Sequence, residues 1–328
     1  MRFNEEKQMN NIESINKPLM WITVLLLAAI AAGCGGGGQD PILGSGAGTA
    51  SAGPAGVNAS MLGLAAPFGI ASTAGITNTG ATTINGDVVL ANPTPLCGGA
   101  AVPGGTNTAG FGLCAGNPPT LTGTVITPTF PDGTTATNVK ADMNTGYLAI
   151  TPPAGPPAAG SLGGATDLPA GTTLGAATGS AMVLNDNLFF PGVYQSITSI
   201  MVTDDLTLDA QGNPDAVFVF QSSSTVGTAD GAAPPGTPRT RILLVNGAKA
   251  SNVWWQAGSS ATLGLYSEFN GNIMAAADIT MNTGATSCGR LFAGAWVGGS
   301  GAFVFDSNVV SVPGQPFVPP AGYSATCQ

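Results

Sequence analysis

One spacing dominates this chain: Trp255, Ile273, Leu291 and Val309 follow one another at intervals of eighteen residues. Two residues on, Ala257, Ala275, Ala293 and Ser311 keep the same phase and are all small. Gly271 and Gly289 are in phase too, as are Thr262 and Thr280. A fixed period of this length marks a repeat architecture, in which each unit buries its apolar side only against its neighbours. Within the unit the apolar runs are short and alternating, as in Asn272-Ile273-Met274-Ala275 and Asp278-Ile279-Thr280-Met281. Turn formers separate them at Asn270-Gly271, Thr283-Gly284 and Cys288-Gly289-Arg290. About three short strands per unit, with Gly at the corners, predict a mostly β fold: an irregular right-handed β-solenoid of about 18-residue coils. Alternation sends Ile273, Ala275, Ile279 and Met281 inward, and Thr280 and Asn282 outward. Trp255 shares the inward phase of Ile273. A β-sandwich with accidental spacing is the competing fold; three consecutive equal intervals favour the solenoid.

Composition agrees with a thin, repetitive β body. The 328 residues include Gly 49 and Pro 25 with only 8% charged residues, yet 44% are hydrophobic. Disorder needs low hydrophobicity and high charge, and this chain has neither. Histidine is absent, which excludes His-based nucleophile activation, proton shuttling and metal ligation. From Cys34 onward there are five basic residues (Lys140, Arg239, Arg241, Lys249, Arg290) against 14 acidic ones. Such a surface cannot neutralise a phosphate backbone, so nucleic acid is excluded as a partner.

The N-terminus reads as an address. Arg2, Lys7 and Lys17 precede the apolar run Leu19–Ala32, and Gly33-Cys34 follows. A run of fourteen residues falls short of the roughly 20 that span a bilayer; a basic region, short apolar core and small-residue site match an export signal. Ile30-Ala31-Ala32-Gly33-Cys34 resembles a bacterial lipobox, which makes Cys34 the lipidated mature N-terminus. Ordinary cleavage with Cys34 incidental is the alternative. The expected organisation is a lipoprotein-type signal peptide over 1–33, a flexible Gly/Ala/Ser tether over 34–60, the solenoid over 61–312 and a Pro-rich tail over 313–328. The protein is then exported, and held by lipid at the cell surface or periplasm or released to the medium. Export also implies an oxidising compartment, in which Cys97, Cys114, Cys288 and Cys327 form an even set with three possible pairings. Cys97–Cys114 is the natural local pair, and Cys288–Cys327 would then pin the tail.

Upstream of the clear repeat the pattern loosens. Residues 96–131 read as a long loop or cap. Residues 136–150 form the single helix candidate, one short flanking helix whose Thr and Asn are poor helix formers and which Pro152-Pro153 ends. Another irregular segment runs to about Leu184, with coils resuming at Pro191-Gly192-Val193-Tyr194.

These segments together resemble a known group, the microbial ice-binding (antifreeze) proteins built as an irregular β-solenoid. The resemblance rests on Ile76-Thr77-Asn78-Thr79-Gly80-Ala81-Thr82-Thr83-Ile84-Asn85-Gly86-Asp87, then Pro191-Gly192-Val193-Tyr194 and Leu206-Thr207-Leu208-Asp209-Ala210-Gln211-Gly212. It continues through Ala216-Val217-Phe218-Val219-Phe220-Gln221, Asn252-Val253-Trp254-Trp255-Gln256 and Gly258-Ser259-Ser260-Ala261-Thr262-Leu263-Gly264, to Phe269-Asn270-Gly271-Asn272-Ile273. It implies a long helix packed along the solenoid, no cofactor, no catalysis, and a monomer whose partner is the ice crystal surface.

Residue chemistry points the same way. Threonine suits an ice-binding surface because its methyl excludes water, its hydroxyl holds one, and its branched χ1 is stiff. Candidate outward positions are Thr225 and Thr228, Thr280 and Thr283 as Thr-x-x-Thr units, with Thr262 in phase with Thr280 and with Thr77 and Thr79 extending the face. High β-propensity is the competing account of any single Thr. A surface adhesin or structural solenoid without ice affinity is the alternative function, with Trp254, Trp255 and Trp296 as a possible carbohydrate-stacking set. Asp204, Asp205 and Asp209 are the carboxylates to weigh for glycoside chemistry. Adjacent strand residues face opposite ways, and Asp209 reads as a turn residue bonding its own backbone.

Overall fold

The computed structural model describes residues 51–90, 119–126, 134–175, 187–236, 239–315, 317–323 and 327, and all of them belong to one compact unit, Ala47–Gln328. Short parallel strands assemble into three sheets of nine, seven and eight strands, here called A, B and C. Each full coil gives one strand to each sheet in turn. The first coil is β1 (Phe68–Ser72), β2 (Gly75–Thr79) and β3 (Thr83–Asn85). β4 (Asp87–Leu90), β5 (Thr120–Leu121) and β6 (Val125–Ile126) continue it, and helix α1 (Thr135–Ala149) follows. The main run is β7 (Thr166–Leu168), β8 (Thr172–Leu174), β9 (Leu188–Phe189); β10 (Gly192–Ser196), β11 (Ile200–Val202), β12 (Asp205–Asp209); and β13 (Phe218–Ser222), β14 (Val226–Thr228), β15 (Arg241–Val245). Then come β16 (Val253–Ala257), β17 (Ala261–Leu263), β18 (Glu268–Asn270); β19 (Asn272–Ala275), β20 (Ile279–Met281), β21 (Thr286–Cys288); and β22 (Leu291–Ala293), β23 (Ala302–Asp306), β24 (Val309–Ser311).

The spatial order is not the chain order. In sheet A it is β6-β4-β1-β22-β19-β16-β13-β10-β7. The chain therefore enters in the interior of the stack, builds to one end, and restarts at the other end with β7. It then winds back until β22 pairs with β1, Leu291 opposite Ile70.

The eighteen-residue period holds where it was clearest: Trp255 pairs with Ile273 and Ile273 with Leu291. Ile273, Ala275, Ile279 and Met281 all lie in the core inside the coils. Phased Gly271 and Gly289 have a steric cause, since a Cβ on Gly289, at φ +149°, would sit 1.9 Å from the Gly271 carbonyl oxygen. Val309 departs from the expectation. It lies in sheet C, paired with Thr286 and Thr83, because the turn between β22 and β23 lengthens that coil and Ile70 takes the place next to Leu291. Coils also resume earlier than expected, at β7 and β8, and β5 and β6 lie within the segment read as a loop.

Aromatic rings carry the core through consecutive coils of the main run. Tyr194 stacks on Phe220 at 5.3 Å and Phe220 on Trp255 at 4.1 Å between centroids. Equivalent positions in successive coils lie one strand spacing apart, about 4.8 Å, so like residues stack face to face.

Helix α1 is a regular 15-residue helix, as the family resemblance implies and its own propensity does not. Its stripe of Ala136, Val139, Met143, Tyr147 and Ile150 packs with Val219, Trp254, Met274 and Phe292 of sheet A, and tertiary burial outweighs weak propensity. The Tyr147 hydroxyl donates to the Ala257 carbonyl at 3.0 Å and accepts from Gln256 Nε2 at 2.8 Å. Gln221 Nε2 donates to the Ile150 carbonyl at 2.9 Å. At the other end Lys140 Nζ donates to the Gly294 and Trp296 carbonyls.

Residues 52–60, expected within the tether, have partners in the fold, and residues 34–50 lie outside the described residues. The Ala52 carbonyl accepts from Val217 N at 2.9 Å, Val57 is buried, and Asn58 caps a 3-10 helix, Ala59–Ala65. Leu62 and Ala65 of that helix lie in the same cluster as α1. Residues 52–60 therefore pack on the body.

Candidate functional site

The three faces differ in what lies on them. Sheet A is roofed by α1 and the 3-10 helix, which bury Trp254, Met274 and Phe292. Trp255 is inside the coils and Trp296 is partly buried against the α1 cluster, so the three tryptophans form no exposed stacking set.

Sheet C carries charge and the C-terminal segment. Arg241 Nε donates to Asp205 Oδ1 at 2.7 Å, and that contact pushes the Arg241 pKa up from its ordinary value. Arg239 pairs with the buried Glu268, donates to the Gly322 carbonyl at 3.0 Å, and lies 5.1 Å from the Tyr323 ring centroid. The Cys288–Cys327 disulfide ties down the tail across a separation of 39 residues. Cys34, Cys97 and Cys114 lie outside the described residues. Asp204 Oδ1 accepts from Asp205 N at 2.9 Å. Asp209 Oδ1 accepts from Gln211 N at 2.7 Å and Asn246 Nδ2 at 2.9 Å, the turn role its sequence context implies.

Sheet B has no such cover among the described residues. Its order is β2-β23-β20-β17-β14-β11-β8. Its seven strands contain one charged residue, Asp306, at an end. The central outward column follows from register: Thr77 pairs with Val304, Val304 with Thr280, Thr280 with Thr262, Thr262 with Gly227, Gly227 with Met201, and Met201 with Thr173. Thr173, Met201, Thr262 and Val304 are exposed, and Thr77 and Thr280 half-buried. Beneath this column lie Ile76, Phe303, Ile279, Ala261, Val226 and Ile200 of the core, which back the strands from inside.

The sequence-derived candidates divide into three groups. Thr77, Thr262 and Thr280 fall in this column. Thr79 and Thr225 are exposed at its margins, Thr79 paired with Asp306 and Thr225 in the turn before β14. Thr228 is a correction: it is 5% exposed, faces the interior, and accepts from Gly264 N at 2.8 Å. Thr283 is also off the strand, in the turn after β20, its hydroxyl donating to Asp306 Oδ2. Thr-x-x-Thr spacing fails for a physical reason: strand side chains alternate with period two, so residues three apart leave opposite faces. Thr173, Met201 and Val304 were missed because only the register places them in line with Thr262. The short run Thr172-Thr173-Leu174 carries only a weak alternating signal for Thr173, because the inward residue before it, Thr172, is itself polar.

Residues 70–298 match the family described as ice-binding-like. The ice-binding protein of Nostoc sp. (strain HG1) is 44% identical over 122 residues, 37% of this chain and 40% of that protein. Ice-binding protein 1 of Shewanella frigidimarina is 38% identical over 103 residues, 31% of this chain and 11% of that protein. The chain thus matches less than half the length of either relative. Among solved structures, the ice-binding protein of the Antarctic ascomycete Antarctomyces psychrotrophicus has a TM-score of 0.55 and 31% identity, with 76% of this chain and 96% of that chain covered. The ice-binding protein of an Arctic yeast has a TM-score of 0.53 and 26% identity, with 80% and 97% covered. A match over most of its length, together with this solenoid, establishes that the chain belongs to the ice-binding-like family.

Proposed function

We propose that the protein adsorbs to ice through the outer face of sheet B and thereby depresses freezing and inhibits recrystallisation. The observation that carries this reading is the register-aligned column running from Thr77 through Val304 and Thr280 to Thr262 on the sheet that neither helix nor C-terminal segment covers. β-branched side chains have one or two stiff χ1 rotamers, so the methyls and hydroxyls stand at fixed places. Each hydroxyl holds a water weakly while the methyls deny water other positions, and the held waters merge with the lattice. Charged side chains would bind water in geometries that compete with ice, and the column carries none. Adhesion to a protein or polysaccharide requires no such uncharged, repeating surface.

The apolar run Leu19–Ala32 before Gly33-Cys34 supports export with a lipid anchor at Cys34, and the sheet B face needs only a single copy of the chain. The purified exported protein should inhibit recrystallisation in sucrose at sub-stoichiometric cover and shape growing crystals. Ice grains that coarsen as in a buffer control would remove the reading.

A further inference from the structure

The sheet B column is not uniform, and its break has a chemical cause. Thr262, Thr280, Val304 and Thr77 occupy consecutive strands β17, β20, β23 and β2. On the next two strands the same column holds Gly227 and Met201. Gly227 is buried although its position faces outward. A Cβ built there would lie 3.1 Å from the Thr262 carbonyl oxygen and 3.4 Å from both Sδ and Cε of Met201, so the Met201 thioether packs against the side of the column that Gly227 leaves bare. Met201 itself is 39% exposed. Methionine has three rotatable bonds and no hydrogen-bonding group that orders water firmly, whereas each β-branched neighbour is stiff. The fixed pattern of methyls and hydroxyls therefore ends between β17 and β14. Thr173 stands beyond the break, separated from Thr262 by the Met201–Gly227 pair.

We infer that ice contact is confined to the four-strand half of sheet B formed by β17, β20, β23 and β2, and that Met201, folded over Gly227, sets its boundary. This inference rests on the sheet B reading above. It makes the contact depend on the meeting of the two ends of the chain path, because β2 comes from the first coil and β23 from the last.

The test places one bulky side chain on each half of the face in the full chain. Thr280→Tyr in the contacting half should lower thermal hysteresis about fivefold or more, because a group that holds a flat interface apart removes the contacts around it as well as its own. Met201→Tyr and Thr173→Tyr, beyond the boundary, should each keep more than half of it. Melting temperatures near wild type confirm folding, and Thr173→Tyr serves alone if Met201→Tyr is unstable. A loss in the folded Met201→Tyr or Thr173→Tyr variant as large as that in Thr280→Tyr overturns the boundary and leaves the sheet B reading standing. Full activity in all three overturns both, because contact then lies off sheet B. An inactive wild type overturns the ice reading itself.

Discussion

Thr262 and Thr280 are direct partners on neighbouring parallel strands, so their side chains leave the same face of sheet B one strand spacing apart, about 4.8 Å. Between them and the core sit only the strands themselves, with Ala261 and Ile279 pointing inward. Face and core can therefore be perturbed independently. Thr262→Lys should remove most thermal hysteresis while stability changes by about 0.5 kcal/mol or less, as is usual for exposed sites. Ile273→Ala should do the reverse, costing about 2–5 kcal/mol and leaving hysteresis intact at temperatures where the variant is folded. Denaturant titration and nanolitre osmometry on the two variants check this.

The Tyr147 hydroxyl is a buried polar link between α1 and sheet A, held between the Ala257 carbonyl and Gln256 Nε2. Tyr147→Phe removes the acceptor of Gln256 Nε2, while the Ala257 carbonyl keeps its bond from Ala276 N, and should cost about 1–3 kcal/mol, the usual consequence of orphaning a buried polar group. The expected readout is a lower denaturation midpoint with an unchanged slope. Hysteresis per folded molecule should not change, since sheet B is on another side of the coil.

Reduction of Cys288–Cys327 frees a segment that closes a loop of 39 residues, which in the chain-entropy view is worth about 4 kcal/mol. Cys327→Ser should lower the melting temperature by the same amount as reductant does to wild type, and reductant should then have no further effect on the variant. Ice activity in the cold should persist, because the tail is tied to sheet C.

Two opposing alkaline effects are expected. Burial pulls the Lys140 ammonium from 10.5 down to about 8. Between those pH values the unfolded chain holds a proton that the folded chain has released, so stability rises with pH across that window. Burial pushes the Tyr147 and Tyr194 hydroxyls from 10.0 up to about 12. Above pH 10 the folded chain keeps protons that the unfolded chain loses, so stability falls as pH rises further. Melting temperature should thus climb modestly from pH 8 toward 10 and drop beyond it. Lys140→Met should abolish the climb and spare the drop.

Cys34→Ala tests the address at the N-terminus. Expressed in a bacterial host, wild type should fractionate with membranes and carry the mass of acyl chains, and the variant should be released or remain unprocessed. Identical mass and fractionation would set Cys34 aside as incidental.

The amino-acid sequence by itself determined the coil. Trp255, Ile273 and Leu291 at one interval, with small residues and glycines in phase, specify stacked parallel strands because each position meets its own equivalent in the next turn, and that relation is local in sequence. The inward set and the outward Thr262 and Thr280 followed from alternation alone. Three things needed the tertiary structure. Thr228 turned inward and Thr283 off the strand: alternation says only that residues three apart in one strand oppose each other, and it took the packing of Val226 and Ile279 into the core to fix where each strand lies and which member faces out. Helix α1 formed despite weak propensity, because its apolar stripe gains its stability only against Trp254 and Met274, which lie more than a hundred residues away in the chain. The extent of the Thr column was decided the same way: Thr77 joins it only because β2 docks on β23, a contact between the first coil and the last that no short-range pattern encodes.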